Sequence, residues 1–293
     1  MLMSIMMIGM MLIFVSRAQA SARRISEVLE TPEEEDVDTT EKFDLDGAIE
    51  FQNVNFSYEG NERKVLHDID LIINPGETVA FLGDTGSGKS TLVNLIPRLY
   101  EVTSGRIMLN GIDITKIPRR ELRREVAFVF QETILFSGKI SDNIAYGNPE
   151  ASLEDIQRAA DMARVGDFIS TLPDGYDTNL SQMATNLSGG QRQRVAIARA
   201  LASGARIIVF DDSTSALDAR TEAAVMKAIN DRLKCTKIII AQKISSVVNS
   251  DRIYLLETGR IVTSGTHSEL MKTSDLYRDI YRSQFGEVGE ESA

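Results

Sequence analysis

The sequence predicts an α/β domain with a mixed sheet and an added antiparallel part, and three observations carry that reading. Short runs rich in Ile, Val and Phe alternate with helix-length segments; Asn110-Gly111 and Thr258-Gly259 have hairpin-turn chemistry; and a glycine-rich loop directly follows one of the apolar runs. Strands interleaved with helices stack as α/β layers, whereas two-residue turns of this type join antiparallel neighbours. With 293 residues, 43% of them hydrophobic, the chain is long enough to bury such a core.

The chain opens on Met1 to Val15, an apolar run broken only by Ser4 and Gly9. As a helix rising ~1.5 Å per residue, this run covers roughly 22 Å, short of the ~30 Å hydrocarbon core. No Lys or Arg precedes it, so the charged start of a signal peptide is missing, although Ala18-Gln19-Ala20 mimics a cleavage site. Arg17, Arg23 and Arg24 follow it and mark a cytoplasmic flank. Ala18, Ala22, Ile25, Val28 and Leu29 keep near-helical spacing until Pro32. Residues 1–30 are therefore expected to be the end of a transmembrane helix with its cytoplasmic extension, the alternative being a surface or core helix.

Residues 27 to 46 hold ten carboxylates against Lys42 alone, and 31–47 reads as a solvated acidic linker. The formal charge of -11 argues against nucleic acid as a ligand, but this stretch carries -9 of it, leaving -2 on a body that can still hold a polyphosphate. The single Cys235 cannot close an internal disulfide, which excludes a disulfide-held secreted scaffold and points to a reducing compartment.

A compact domain is expected over 48–285, ahead of an acidic tail at 286–293. Its expected strands are Ile49 to Phe56, Thr78 to Leu82, Val126 to Phe130, Ile207 to Phe210 and Lys237 to Ala241. Residues 152 to 170 read as a helix, opened by Ser152 and Asp155 at capping-box spacing.

Three motifs carry chemistry. Gly83-Asp84-Thr85-Gly86-Ser87-Gly88-Lys89-Ser90 lies between a strand and a predicted helix. Glycines let backbone N–H groups wrap phosphates, the helix presents its positive end, Lys89 holds the β- and γ-phosphates, and Ser90 supplies an oxygen to Mg²⁺. Thr91 follows in the same turn, and Asp84 is expected to point outward because a carboxylate would repel phosphate. The second motif is Arg206 to Asp212, an apolar strand ending in two carboxylates: Asp211 as the second metal contact and Asp212 to polarise the attacking water. The third, Asn186-Leu187-Ser188-Gly189-Gly190-Gln191-Arg192-Gln193-Arg194, places a hydroxyl and two glycines at a helix start, a second anion site on the same chain.

On these residues the chain, over about 48–285, resembles the nucleotide-binding domain of ABC transporters, whose signature is Leu-Ser-Gly-Gly-Gln. The resemblance implies a P-loop NTPase fold of the ABC type, with a mixed-sheet core, an antiparallel β subdomain and a helical subdomain. It also implies ATP and Mg²⁺ as cofactors, two ATP sandwiched in a dimer, and a signature (Ser188, Gly189, Gly190, Gln191) that closes over the partner's nucleotide. Carried over position by position, Tyr58 matches the aromatic residue that stacks on adenine. Gln131 matches the glutamine that contacts Mg²⁺ and water, and Asp218 in Ser215-Ala216-Leu217-Asp218 matches the loop touching the partner. Leu135-Phe136-Ser137-Gly138 with Asn143-Ile144 is similar to the exporter version of the segment after that glutamine, and a fused membrane helix also fits exporters.

Two positions and one short segment depart from the family's pattern. Asp212 stands where the family usually has Glu, and Gln242 where it usually has His. The shorter carboxylate falls back from its water, and an amide neither carries charge nor shuttles a proton. Both changes weaken hydrolysis and spare binding, a combination similar to the degenerate-site subunit of heterodimeric multidrug-type exporters. Ser181-Gln182-Met183 replaces a Gly-Glu-rich segment.

Arg119, Arg120, Arg123 and Arg124 alternate with Glu121 and Glu125, which reads as a solvated helix face rather than a nucleic-acid patch. His67 and His267 lack metal-ligand company and read as structural, and the methionines of the first segment as apolar filling. The expectation is thus an ABC-type ATPase at the membrane, its nucleotide-binding domain on the cytoplasmic face, paired with a second half-transporter subunit. Rival readings are a homodimeric exporter that tolerates Asp212 and Gln242, a nontransport ABC ATPase acting on DNA or ribosomes, and an ATP-dependent clamp.

Overall fold

The computed structural model describes residues 2–31, 36, 37, 39, 43–60, 63–213 and 217–285. Pro32, much of the acidic stretch, Ser215, Ala216 and the tail 286–293 lie outside them. The chain divides into two units at Asp36. The first holds one helix, α1 (Leu2–Leu29), with no buried residue. Its 28 residues are long and apolar enough to cross a membrane by length and composition, and the apolar run and the segment after Arg17 form one uninterrupted helix.

The second unit contains, in chain order, β1 (Ile49–Phe56), β2 (Leu66–Ile73), β3 (Thr78–Leu82), α2 (Lys89–Asn94), β4 (Ser104–Leu109), β5 (Ile112–Asp113), α3 (Arg119–Arg124) and β6 (Val126–Val129). There follow β7 (Gly138–Lys139), α4 (Ile140–Ile144), α5 (Leu153–Met162), α6 (Gly166–Ser170), β8 (Asn179–Leu180), α7 (Gly189–Ala202) and β9 (Ile207–Asp211). The unit closes with α8 (Ala219–Arg232), β10 (Thr236–Ala241), β11 (Arg252–Glu257), β12 (Arg260–Gly265), α9 (His267–Thr273) and α10 (Asp275–Phe285).

A six-stranded sheet runs β12-β11-β3-β10-β9-β6, parallel except for the β11–β12 hairpin. A separate antiparallel sheet runs β2-β1-β4-β5. Period-2 alternation along the buried strands divides the core in two. Val79, Phe81, Val209, Ile238 and Ile240 join the cluster under the antiparallel sheet, while Ala80, Leu82, Phe210, Ile239 and Ala241 join the one under the helices. Strands covered on both faces have to be apolar throughout, which is why the sequence shows them as continuous runs.

Both hairpin turns form as their dipeptides require. Asn110 and Gly111 have φ of 53° and 75°, and Thr258 and Gly259 have 45° and 78°, the paired left-handed conformations of a type I′ turn. For Thr258, a β-branched residue, that conformation is strained, and the hairpin holds it there.

Two expectations need correction. The helix expected over 152 to 170 is two helices. Its capping box forms, with reciprocal Ser152 and Asp155 bonds, but α5 stops at Met162, Arg164 takes φ 56°, and α6 starts at Gly166. A Cβ on Gly166 would stand 2.2 Å from Asp161 Oδ1, so the chain turns back too closely for a continuous helix. The arginine face is also only partly solvated. Arg119 donates to Glu101 at 2.8 Å with its side chain 13% exposed, and Arg123 donates to the Pro97 and Arg98 carbonyls.

Candidate functional site

Parallel strands deliver their C-terminal ends to one edge of the sheet, where ligands bind in open α/β folds. There β3 leads into the phosphate loop, β9 ends in Asp211, β10 precedes Gln242, and β6 precedes Gln131. Because β6 stops at Val129, Gln131 sits in the following loop rather than closing the strand, and Phe130 is 51% exposed.

Two glycines shape the loop. A Cβ at Gly83 would meet the Leu256 carbonyl at 2.2 Å, so only glycine lets the end of β3 lie against β11. Gly88 caps α2 with φ 103°, and a Cβ there would press Leu66 at 2.8 Å. Between them Asp84 is exposed and Ser87 is buried.

Lys89 is 6% exposed and folded back onto its own loop. Its ammonium donates to the carbonyls of Gly83 and Asp84 at 2.7 Å each and to Ser87 Oγ at 3.3 Å. Burial pulls its pKa below the usual lysine range, opposed by the charges of Asp212, Asp211 and Asp84. Ser90 Oγ donates to Asp211 Oδ1 at 3.2 Å. Burial raises the Asp211 pKa, the Ser90 hydrogen bond lowers it, and the neighbouring Asp212 raises it again. A hydroxyl and a carboxylate this close, with Gln131 lining the same cavity, supply hard oxygen donors of the kind that suits Mg²⁺.

Asp212 leaves the strand with φ 47°, its N–H held by the Ile240 carbonyl at 3.0 Å. The Gln242 amide donates to its carboxylate, Nε2 to Oδ2, at 3.3 Å. The two departures noted in the sequence are thus in direct contact. Gln284 of α10 brackets the same turn, donating from Nε2 to the Gln242 carbonyl at 2.7 Å and accepting the Ile244 N–H at 2.8 Å.

A cavity of about 290 Å³ collects Thr85, Gly86, Gly88, Lys89, Ser90, Thr91, Gln131, Asp211, Asp212 and Gln242, with Val65 and Ile240. Gly83 and Ser87 support it through Lys89 rather than lining it. Tyr58 lies beside it, its hydroxyl 2.9 Å from Thr91 Oγ1 and its ring edge-on to Phe56 and Tyr100. Val65 and Gln284 escaped the sequence reading: an aliphatic residue before a strand carries no chemical signal, and Gln284 is 42 residues from its partner.

The signature is elsewhere: none of residues 187–191 lines this cavity. Ser188 is the N-cap of α7, accepting the Gln191 N–H at 3.3 Å while Gln191 Oε1 accepts the Ser188 N–H at 2.8 Å. Ser188 and Gly189 are exposed. Asp218 caps α8 by accepting the Thr221 N–H at 3.0 Å and likewise lies outside the cavity. In the segment after Gln131, Phe136 and Tyr146 stack at 4.6 Å with Arg199 beside both rings. Residues 182–184 form a short 3-10 turn. Away from these sites His267 Nδ1 lies 2.8 Å from the hydroxyl of buried Tyr277, and His67 gives its backbone N–H to Gly259.

Comparison with known proteins places this geometry. The ABC transporter family profile matches residues 66–215, and a P-loop domain profile matches 151–280. The ABC transporter ATP-binding protein YfiB of Bacillus subtilis is 49% identical over 286 residues, covering 98% of this chain and 50% of that protein. A fatty acid ABC transporter ATP-binding/permease protein of Mycobacterium bovis is 41% identical over 264 residues, covering 90% of this chain and 42% of its own length. The structure of a bacterial Atm1-family ABC exporter with ATP bound superposes with a TM-score of 0.86 at 35% identity, covering 94% of this chain and 49% of that one. The chain spans about half the length, or less, of the relatives it matches. It belongs to the ABC transporter family, as an ATP-binding domain of the ABC ATPase type.

Proposed function

We propose that this chain is the ATP-binding portion of an ABC exporter subunit, that it binds Mg-ATP at an interface with a second, different subunit, and that its own phosphate site is hydrolytically impaired. The observation that carries the asymmetry is the contact between Asp212 and Gln242 beside an otherwise complete phosphate site. In this reading Lys89 releases its loop carbonyls for the β- and γ-phosphates, Ser90 and Asp211 hold Mg²⁺ with Gln131, and Tyr58 stacks on the base. Asp212 is one methylene short of a glutamate, and its carboxylate takes a hydrogen bond from an amide that cannot relay a proton. A water-polarising group has to come within ~2.6–3.2 Å of its proton, so the shortfall slows hydrolysis while ATP binding persists.

The signature at Ser188, Gly189, Gly190 and Gln191, exposed at its first two residues, serves the partner's nucleotide, and Asp218 lies at the same interface. The helix α1 belongs to the membrane part, with Arg17, Arg23 and Arg24 on the cytoplasmic side, which puts the ATP site in the cytoplasm. ATP binding and hydrolysis across the dimer then drive export. Nucleic acid has no part in this scheme.

The test is ATP turnover by the protein alone and with its partner subunit. The expected result is slow turnover alone and exporter-level turnover in the pair. Ordinary turnover by the protein alone selects the homodimeric reading, which draws its support from the presence of Lys89, Ser90, Asp211 and an intact signature in one chain.

A further inference from the structure

We propose that Gln193 is a positioning residue for Gln131: it fixes the loop that brings Gln131 to the phosphate site, from the same helix whose first turn carries the signature. The inference deepens the proposed function and rests on its assignment of Gln131 to Mg²⁺. Gln193 lies on α7 and is 2% exposed, a full carboxamide inside the protein. Burying such a group costs free energy unless both of its ends are hydrogen-bonded. Both are. Its Nε2 donates to the Phe130 carbonyl at 3.3 Å, and its Oε1 accepts from the Thr133 hydroxyl. These partners stand immediately before Gln131 and two residues after it.

The segment from Phe130 to Ser137 contains no helix or strand, so no ladder of backbone hydrogen bonds sets the position of Gln131. Side chains from α7 and α4 do so instead. Further along α7, Arg199 donates to the Ile134 carbonyl at 2.9 Å, and Asn143 of α4 holds both backbone groups of Phe136 at 2.9 Å. Arg199 and Asn143 act on the far end of the loop. Among the described residues Gln193 is the one that bonds on both sides of Gln131, a residue that lines the cavity shared by Ser90 and Asp211. A partner that orients a metal contact is worth 10- to 100-fold in metal affinity.

The experiment is calorimetric ATP binding to the full chain at a series of MgCl₂ concentrations, with Gln193→Met, Gln131→Ala and the double variant. Met keeps the volume and removes both hydrogen bonds. Gln193→Met should raise the Mg²⁺ concentration for half-maximal enhancement of ATP affinity by about tenfold. ATP affinity in EDTA should stay within about twofold, and the double variant should be no worse than Gln131→Ala. Unchanged Mg²⁺ dependence with a lowered melting temperature would make Gln193 merely structural and overturn the proposal, as would multiplying effects in the double variant.

Hydrogen exchange of amides 131–136 in the nucleotide-free chain is the second readout. Exchange should quicken about tenfold in Gln193→Met, and unchanged exchange overturns the proposal on its own. If Gln193→Met does not fold, Thr133→Val removes one of the two bonds and should give the same changes at several-fold size; no change in either readout overturns the proposal. An unchanged Mg²⁺ response in Gln131→Ala together with quickened exchange in Gln193→Met would mean that the metal assignment of Gln131 fails while the positioning by Gln193 stands.

Discussion

The phosphate loop and the signature are both built on a helix N-terminus, yet they are finished in opposite ways. The loop is enclosed: β3 and β11 pack against its glycines, Lys89 is buried, and Ser90 already touches Asp211. The signature is open. Ser188 and Gly189 are exposed, and a capping box between Ser188 and Gln191 holds the first turn together. One region holds a converging set of groups from four strands, and the other, residues 187–191, does not line that cavity. The difference teaches that one helix terminus is part of a nearly complete site, whereas the other fits the proposal that a second surface completes it.

The largest expected effect tests the enclosed region. Lys89→Ala removes the ammonium that lines the cavity and should weaken ATP binding at least ~100-fold by calorimetry, because an interaction with an ionised phosphate is lost outright. Gly190→Asp should leave ATP affinity of the isolated chain within about twofold. Equal losses in the two variants would break the comparison.

Next in size is the effect on turnover in the assembled pair. Gly190→Asp should cut steady-state ATPase by about 10²–10³-fold, the cost of losing donors aimed at a transition state. Asp212→Ala should cut it only a few-fold, because in the proposed asymmetric pair little hydrolysis occurs at this chain's own loop. If Asp212→Ala silences the pair as thoroughly as Gly190→Asp, the site on this chain is the catalytic one.

A smaller effect concerns Asp212 and Gln242 together. Their 3.3 Å contact means that they act as a unit, and units give non-additive kinetics. Asp212→Glu with Gln242→His should raise hydrolysis at this site by about tenfold or more, while each change alone gives little. Single-turnover assays on the pair distinguish this from two independent contributions, which would multiply.

The smallest effect is on stability. Ser188 closes a capping box, so Ser188→Ala should cost about 1 kcal/mol and lower the melting temperature of the isolated chain by about 2–4 °C, apart from any effect on turnover. If Ser188→Ala melts like the parent, the open region is not stabilised by its cap.

Much of the fold was legible because its causes are local. Apolar runs of strand length marked β1, β3, β9 and β10, and Asn110-Gly111 and Thr258-Gly259 marked their hairpins because few residue pairs accept two successive left-handed conformations. Ser152 and Asp155 gave the start of α5, since a capping box acts within four residues. The same local reading failed where a distant or three-dimensional contact set the outcome. The break between α5 and α6 depends on Gly166 turning back onto Asp161, and the partial burial of Arg119 depends on Glu101, eighteen residues earlier.

The candidate site divides along the same line. The sequence by itself determined which groups are present: a glycine loop with Lys89 and Ser90, two carboxylates after an apolar strand, an amide at Gln242 and a hydroxyl at a helix start. Their kinds of chemistry follow from side-chain identity and spacing of a few residues. Only the tertiary structure decided that Ser90 meets Asp211 across 121 residues, that Asp212 and Gln242 touch, that Gln284 and Gln193 hold the turns beside them, and that Ser188 stays out of the cavity. The physical reason is that parallel strands distant in the chain must lie side by side to pair their backbones and bury both faces. The strand order then chooses which loop ends converge, and no window of local sequence contains that order.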